Sequence, residues 1–349
     1  MNSVLLTVDL TKAVAEEAIE GNHCVVIAYH PIIFRGFKSL TLADPQQQSL
    51  LRLALEGISV YSPHTAVDAA SDGMTDWLCD IVTGTLPDPE PETHTAEIPS
   101  TDEQRGASES TPSSNGRPPM LGRSYSKPTY PTRPSSSSPS LRPATSGHTR
   151  SVIHPSQATA SLSDDRFTPE NTGAGRLVTF NEPQPLTHLI ERIARGVGTP
   201  KGFPVAIPQN QQVEDMEVKT VGICPGSGGS VLRSCNADLL FTGELSHHEA
   251  LAATERGAAV VTLFHSNSER GYLHSVMKGK LKRTLETEWK KTREEMLTNG
   301  ETGNGEWDEA LADETVDVIV SERDRDPYGI VILQDMYEDV NAISQLQPH

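Results

Sequence analysis

Apolar and polar positions alternate with two periods along this chain, and the periods change in a regular order. VLLTVDL opens almost at the first residue as a short apolar run and predicts a strand. TKAVAEEAIEGN follows with helical spacing, Thr11 at the N-cap and Gly21 near the C-cap. CVVIAYHP is a continuous apolar run stopped by Pro31, the pattern of a buried parallel strand. DPQQQSLLRLALEGI predicts a helix and SVYSPHT a strand. The rhythm returns later in the chain. PLTHLIERIARGV reads as a helix and VKTVGICPG as a strand, followed by a glycine turn and the strand ADLLFTGE. SHHEALAATERG then reads as a helix, AAVVTLFHS as a strand, residues 269–289 as a helix and TVDVIVSE as a strand. Strands that alternate with helices predict an α/β protein of two related layered halves.

Composition separates those halves. The chain has 349 residues and only 36% hydrophobic and 5% aromatic residues. The polarity is concentrated in residues 87–170, where 41 of 84 residues are Pro, Ser or Thr. Such a stretch cannot bury enough apolar surface to offset the entropy of ordering it. The expected organisation is residues 1–86 as the N-terminal half, 87–170 as a disordered insert and 171–349 as the C-terminal half. Residues 286–317, with eleven acids against three bases, read as a charged helix end and a surface loop.

Charge and cysteine use narrow the class. A net charge of −18, of which −16 falls outside the insert, argues against nucleic-acid binding by the folded body and against docking on an anionic membrane. No run is long and apolar enough to predict a transmembrane helix. The N-terminus has the pattern of neither a signal nor a transit peptide, so the expected location is the cytoplasm, with nucleus or mitochondrion as alternatives. Cys24, Cys79, Cys224 and Cys235 lack CxxC spacing and read as buried thiols, without a disulfide framework.

Several polar side chains fall at the C-terminal ends of predicted strands, where open α/β sheets place their ligands. Tyr29 and His30 end CVVIAYH, and a buried, hydrogen-bonded histidine is the plain alternative there. His64 and Asp68 follow SVYS four residues apart, as metal-side residues or as a capping box with Thr65. His265 and Glu269 repeat that spacing after AAVVTLF. Imidazole nitrogen with carboxylate oxygen suits Zn, Fe, Mn or Co, although Ser266 or Ser268 capping a surface turn explains the same letters. Glu244, His247 and His248 lie in TGELSHHEA, where Ser246 is a helix cap. Adjacent histidines diverge by roughly 100° on a helix, which disfavours their sharing one ion. PGSGGS offers backbone amides to a phosphate or simply a tight strand-to-helix turn.

AYHPIIFRGFKSLT, VYSPHTAVDAASDGMTDWL, VGICPGSGGS, ADLLFTGELSHHEALAATERGAAVVTLFHSNSERGYL and SERDRDPYGIVIL together resemble the NIF-three-like family, also called GTP cyclohydrolase I type 2 homologs. AYHP and HSNSERG resemble its eukaryotic branch. The resemblance spans both flanks of the insert in order. It implies an α/β fold of two related halves, a homohexameric ring and a metal site facing the ring interior. By the same resemblance His30, Asp68, His265 and Glu269 are metal ligands and His64 lies beside them. Tyr29 replaces a histidine found in many bacterial relatives, which leaves the metal count at one or two ions. The family pattern also has an upstream segment with a helix before VLLTVDL. The chain is therefore expected to be a truncated gene product or a variant with an uncovered groove.

Two functions follow. One is a metal-dependent, hydrolase-like enzyme acting on a small molecule, with a purine nucleotide as candidate. Glu269 or His64 would move the proton, and Tyr29, Glu244 and His247 would flank the substrate. The other is a non-catalytic, metal-handling or coregulator-binding scaffold. There the insert, with seven bases and two acids over residues 103–150, would dock a protein partner or accept phosphate.

Overall fold

The first strand, β1 (Ser3–Thr7), is buried along its whole length because helices cover one face of its sheet and a second sheet faces the other. The computed structural model describes residues 3–85, 145–156, 168, 170–299 and 308–330. They lie almost wholly in one unit, Met1–Pro89 with Pro128–Tyr328. Of the second unit, Glu90–Lys127 with Gly329–His349, only Gly329 and Ile330 are described.

Helix α1 (Lys12–Glu20) starts where expected: Thr11 is the N-cap, its hydroxyl accepting from the Val14 amide, and Gly21 is the C-cap. Strand β2 (Val25–Ala28), helix α2 (Pro45–Leu55) and strand β3 (Ser59–Tyr61) follow. Asp44 caps α2, and Pro45 at its first position loses no hydrogen bond. Two short helices, α3 (Thr65–Ala69) and α4 (Met74–Thr83), complete this stretch. Along β1 the side chains alternate by destination. Leu5 packs with Val14, Ala18, Val26 and Leu53 under α1 and α2, while Val4 and Leu6 join the core shared with the other sheet.

That other sheet begins with β4 (His148–Pro155), β5 (Gly173–Pro185), α5 (Leu186–Gly196) and β6 (Val205–Ala206). It continues through β7 (Glu217–Ser227), α6 (Gly229–Leu232), β8 (Leu239–Glu244), α7 (His247–Glu255) and β9 (Ala259–Thr262). Its order is β4-β5-β7-β8-β9-β6, parallel through β7, β8 and β9 and antiparallel elsewhere. Helix α8 (Asn267–Tyr272), a π-helical turn over Leu273–Met277, α9 (Lys278–Thr298), α10 (Asp308–Ala312) and β10 (Asp317–Val320) end the fold. The central core joins Val4, Leu6 and Tyr29 of the first sheet to Phe180, Val221 and Phe241 of the second, with α4 and α8 contributing Trp77 and Tyr272.

The hydrophobic pattern does not single out α3, α4, β5 or β6, and two further differences bear on the organisation. Strand β4 lies inside residues 87–170, so that part of the expected disordered insert is corrected to an ordered edge strand paired with β5. Its few apolar residues, Val152 and Ile153, were diluted by neighbouring Ser and Pro. Residues 86–144 and 157–167, where the rest of the insert falls, lie outside the described residues. Strand β10 comes from the C-terminal half yet pairs in parallel with β1, so the halves divided by the insert are not the halves divided by sheet. Among the described residues no helix is long and apolar enough to cross a membrane.

Candidate metal centre

His30 is placed by backbone pairing that outlasts β2. The Tyr29 amide donates to Thr7 and the His30 amide to Val8, so both residues continue alongside β1. The His30 ring turns its Nδ1 to Asp9 Oδ1 at 2.8 Å, which leaves Nε2 pointing inward. His265 comes from the other sheet. Phe264, at φ +66, turns the chain sharply after β9, and His265 Nδ1 meets Glu244 Oε1 at 2.8 Å. Glu269 lies in the first turn of α8 and is 1% exposed. A ligating histidine characteristically gives its other nitrogen to a carboxylate, and both imidazoles do so here.

These three side chains converge. Their ligand atoms all lie within 4.8 Å of one another. His30 Nε2 stands 3.3 Å from Glu269 Oε2, and His265 Nε2 3.7 Å from Glu269 Oε1. His30 Nε2 and Glu269 Oε2 are sealed from solvent, and their approach does not meet hydrogen-bond geometry. An imidazole nitrogen and a carboxylate oxygen buried face to face at ion-pair distance, with no hydrogen bond to either, are also a donor set matched to a cation.

The glycine turn serves this cluster by its lack of a side chain. Gly226, at φ +59, lies so close that a Cβ there would come within 2.7 Å of Glu269 Oε1 and 3.1 Å of His265 Nε2. Its amide donates inward to Ser268 Oγ.

Asp68 stands apart from the trio. The Tyr29 hydroxyl lies 2.8 Å from each Asp68 carboxylate oxygen, and the Thr65–Asp68 capping box does not form. His64 caps α3 only through its backbone, at φ +45. Its ring lies edge-on to Tyr29 at 5.6 Å and to His30 at 5.8 Å. His247 is exposed on α7, its ring 5.2 Å from that of His248, and Ser246 with Glu249 forms a full capping box there. Glu244 is exposed and reaches the cluster through His265.

The electrostatics follow from burial and pairing. Burial alone would lower the His30 pKa, but Asp9 and Glu269 outweigh it and raise it to about 10. Burial raises Glu269, with His30 pulling against it. Asp68 is pushed up to about 7, mainly by burial. Burial and the neighbouring imidazoles His30 and His265 lower His64. The Tyr29 phenol, buried beside Glu269 and Asp68, is raised far above its usual range and stays neutral.

Sequence patterns missed the support behind His30. Asp9 ends a strand just as His30 does, and that position was the available signal. Asp9 Oδ2 pairs with Arg270 at 2.7 Å, and Arg270 pairs with Asp324 at 2.5 Å. HSNSERG and SERDRD contain Arg270 and Asp324, but nothing local in the sequence pairs either residue with Asp9.

Fold and cluster together define an α/β protein with a His-His-Glu site able to hold a metal ion between two sheets. The family model Duf34/NIF3 (NGG1p interacting factor 3) matches residues 1–298, and the chain belongs to that family. The Schizosaccharomyces pombe Protein NIF3 homolog is 39% identical over 282 residues, covering 80% of this chain and 76% of that protein. The Saccharomyces cerevisiae NGG1-interacting factor 3 is 34% identical, covering 80% of this chain and 74% of that protein. The solved structure of a Staphylococcus aureus hypothetical protein aligns with a TM-score of 0.54 at 17% identity, covering 95% of this chain and 87% of that one. A Bacillus cereus protein related to NIF3 aligns with a TM-score of 0.53 at 17% identity, covering 95% and 89%. These two likenesses bear on the fold.

Proposed function

We propose that this chain is a divalent-metal-dependent, hydrolase-like enzyme acting on a small molecule, with a purine nucleotide as the candidate substrate class. The observation that carries the reading is the sealed pair of His30 Nε2 and Glu269 Oε2, joined by His265. Zn, Fe, Mn or Co suits that donor set, with Asp68 as a further candidate ligand. A cation held by these residues would supply Lewis acidity and would lower the pKa of a bound water.

The chain's own groups do the rest. Asp9 and Glu244 fix the two rings with Nε2 facing the centre. Burial keeps bulk water from Glu269. His64, half-buried beside His30, is the candidate to move a proton, and the Tyr29 hydroxyl holds its proton against Asp68. Glu244 and His247, both exposed, are candidates to orient substrate. The resemblance to the family adds a homohexameric ring, which light scattering on the purified protein tests.

Elemental analysis is expected to find about one to two divalent ions per chain, and His265→Ala is expected to lose them. Full metal content in His265→Ala would sink the site. A metabolite screen of the metal-loaded protein then tests turnover.

The name of the S. cerevisiae relative, NGG1-interacting factor 3, favours a second reading: a metal-handling scaffold that binds a protein partner, for which a transcription coregulator is the candidate. The basic, Ser/Pro-rich residues 103–150 would supply the contact. Deleting residues 90–144, which spares β4, is expected to keep metal content and lose partner binding. A deletion that leaves partner binding intact removes the insert from this reading.

A further inference from the structure

We infer that Arg270 and Asp324 are positioning residues that set the metal affinity of the centre through Asp9. The inference rests on the metal-centre reading above. The chain of contacts is continuous. His30 Nδ1 meets Asp9 Oδ1 at 2.8 Å, leaving Nε2 toward Glu269. The other Asp9 oxygen takes the Arg270 guanidinium at 2.7 Å. A second Arg270 nitrogen meets Asp324 Oδ2 at 2.5 Å. That same Asp324 oxygen accepts the Val8 amide at 2.7 Å and lies 3.4 Å from the Asp9 amide. Asp324 therefore holds Asp9 twice, by its backbone and, through Arg270, by its side chain.

Burial gives this clasp leverage. The side chains of Arg270 and Asp324 are 6% and 5% exposed, where charge-assisted hydrogen bonds are strong and an unpaired ion is costly. The planar guanidinium serves two carboxylates and the Ser266 hydroxyl at once, which a lysine ammonium cannot reproduce.

The clasp also spans the two sides of the centre. His30 and Asp9 come from the first sheet, and Asp324 follows β10 of that sheet. Arg270 sits on α8 directly after Glu269, and His265 precedes the same helix. The residue next to one ligand thus grips the residue that orients another. The distance from His30 to Glu269 is set by this bridge as well as by packing.

Cobalt(II) titration of the full-length protein tests the inference, because the ligand-field absorption reports coordination geometry without any catalytic assay. Asp324→Asn is expected to weaken cobalt binding by about 10- to 100-fold and to change the visible spectrum. Arg270→Lys is expected to fall between wild type and Asp324→Asn. Arg270→Met with Asp324→Leu removes both charges together, leaving no lone buried ion, and serves where a single variant does not fold. As a control, Asp80→Asn breaks the Arg150–Asp80 pair, 2.7 Å apart on the α4 side, and is expected to shift Tm without moving the cobalt spectrum. Clasp variants that fold and bind cobalt with the affinity and spectrum of wild type overturn the inference. A wild-type protein that binds no cobalt overturns the metal reading itself, a separate result.

Discussion

The two imidazoles of the centre are supported in opposite ways. His30 leans on Asp9, which is gripped by a buried arginine and a buried aspartate. His265 leans on Glu244, a side chain 51% exposed. Both contacts measure 2.8 Å, so geometry alone ranks them equal. Their surroundings do not. Asp9 is itself 32% exposed, but a carboxylate gripped by buried partners keeps its position, whereas one reaching into water alone gives up much of its pull to screening and side-chain motion. One ligand is therefore fixed by the fold, and the other is left adjustable on the solvent side.

Three changes separate the shared centre from its two supports. The largest effect is expected from Gly226→Ala, which strikes both sides at once. The new methyl would press on Glu269 and His265, and φ +59 adds backbone strain of about 1–2 kcal/mol. Bound metal is expected to vanish on elemental analysis and Tm to drop, so an alanine variant with wild-type metal content would contradict the packing described. Next comes Asp9→Asn on the fixed side, expected to weaken metal binding by about 10- to 100-fold in calorimetric titration. Smallest is Glu244→Gln on the exposed side, expected to cost less than about tenfold, with the gap to wild type narrowing as salt is raised. Equal losses in Asp9→Asn and Glu244→Gln would erase the distinction between the two supports.

Much of this site was visible in the sequence because strand ends are visible. His30 and His265 each close an apolar run, and Glu269 sits four residues beyond the second, so position and residue type pointed inward together. Asp68 was equally visible, yet its partner was not: the phenol of Tyr29, 39 positions away, takes the carboxylate that capping rules assigned to Thr65. The clasp left no local trace at all. Asp9 meets Arg270 across 261 positions, and the amides before it meet Asp324 across more than 300. Periodicity reports which face of an element is buried, and it carries nothing about which distant charge will meet another. Strand β4 went unseen for a different reason. Composition averaged over a long window hides a short edge strand whose neighbours are Pro and Ser.

The pairing of β1 with β10 has a consequence for the order in which the molecule is made. Ser3 leaves the ribosome long before Asp317, its neighbour in the sheet. Until then β1 lacks one neighbour and presents an open edge, the surface most prone to wrong pairing. Closing so long a loop is also slow, because its entropy is lost before the contacts form. Asp324 lies beyond that strand, so the grip on Asp9 can be completed only after the strands of both sheets have been synthesised. The metal centre thus matures only once Asp324 has been made, and a nascent chain carries His30 long before it carries the means to aim it.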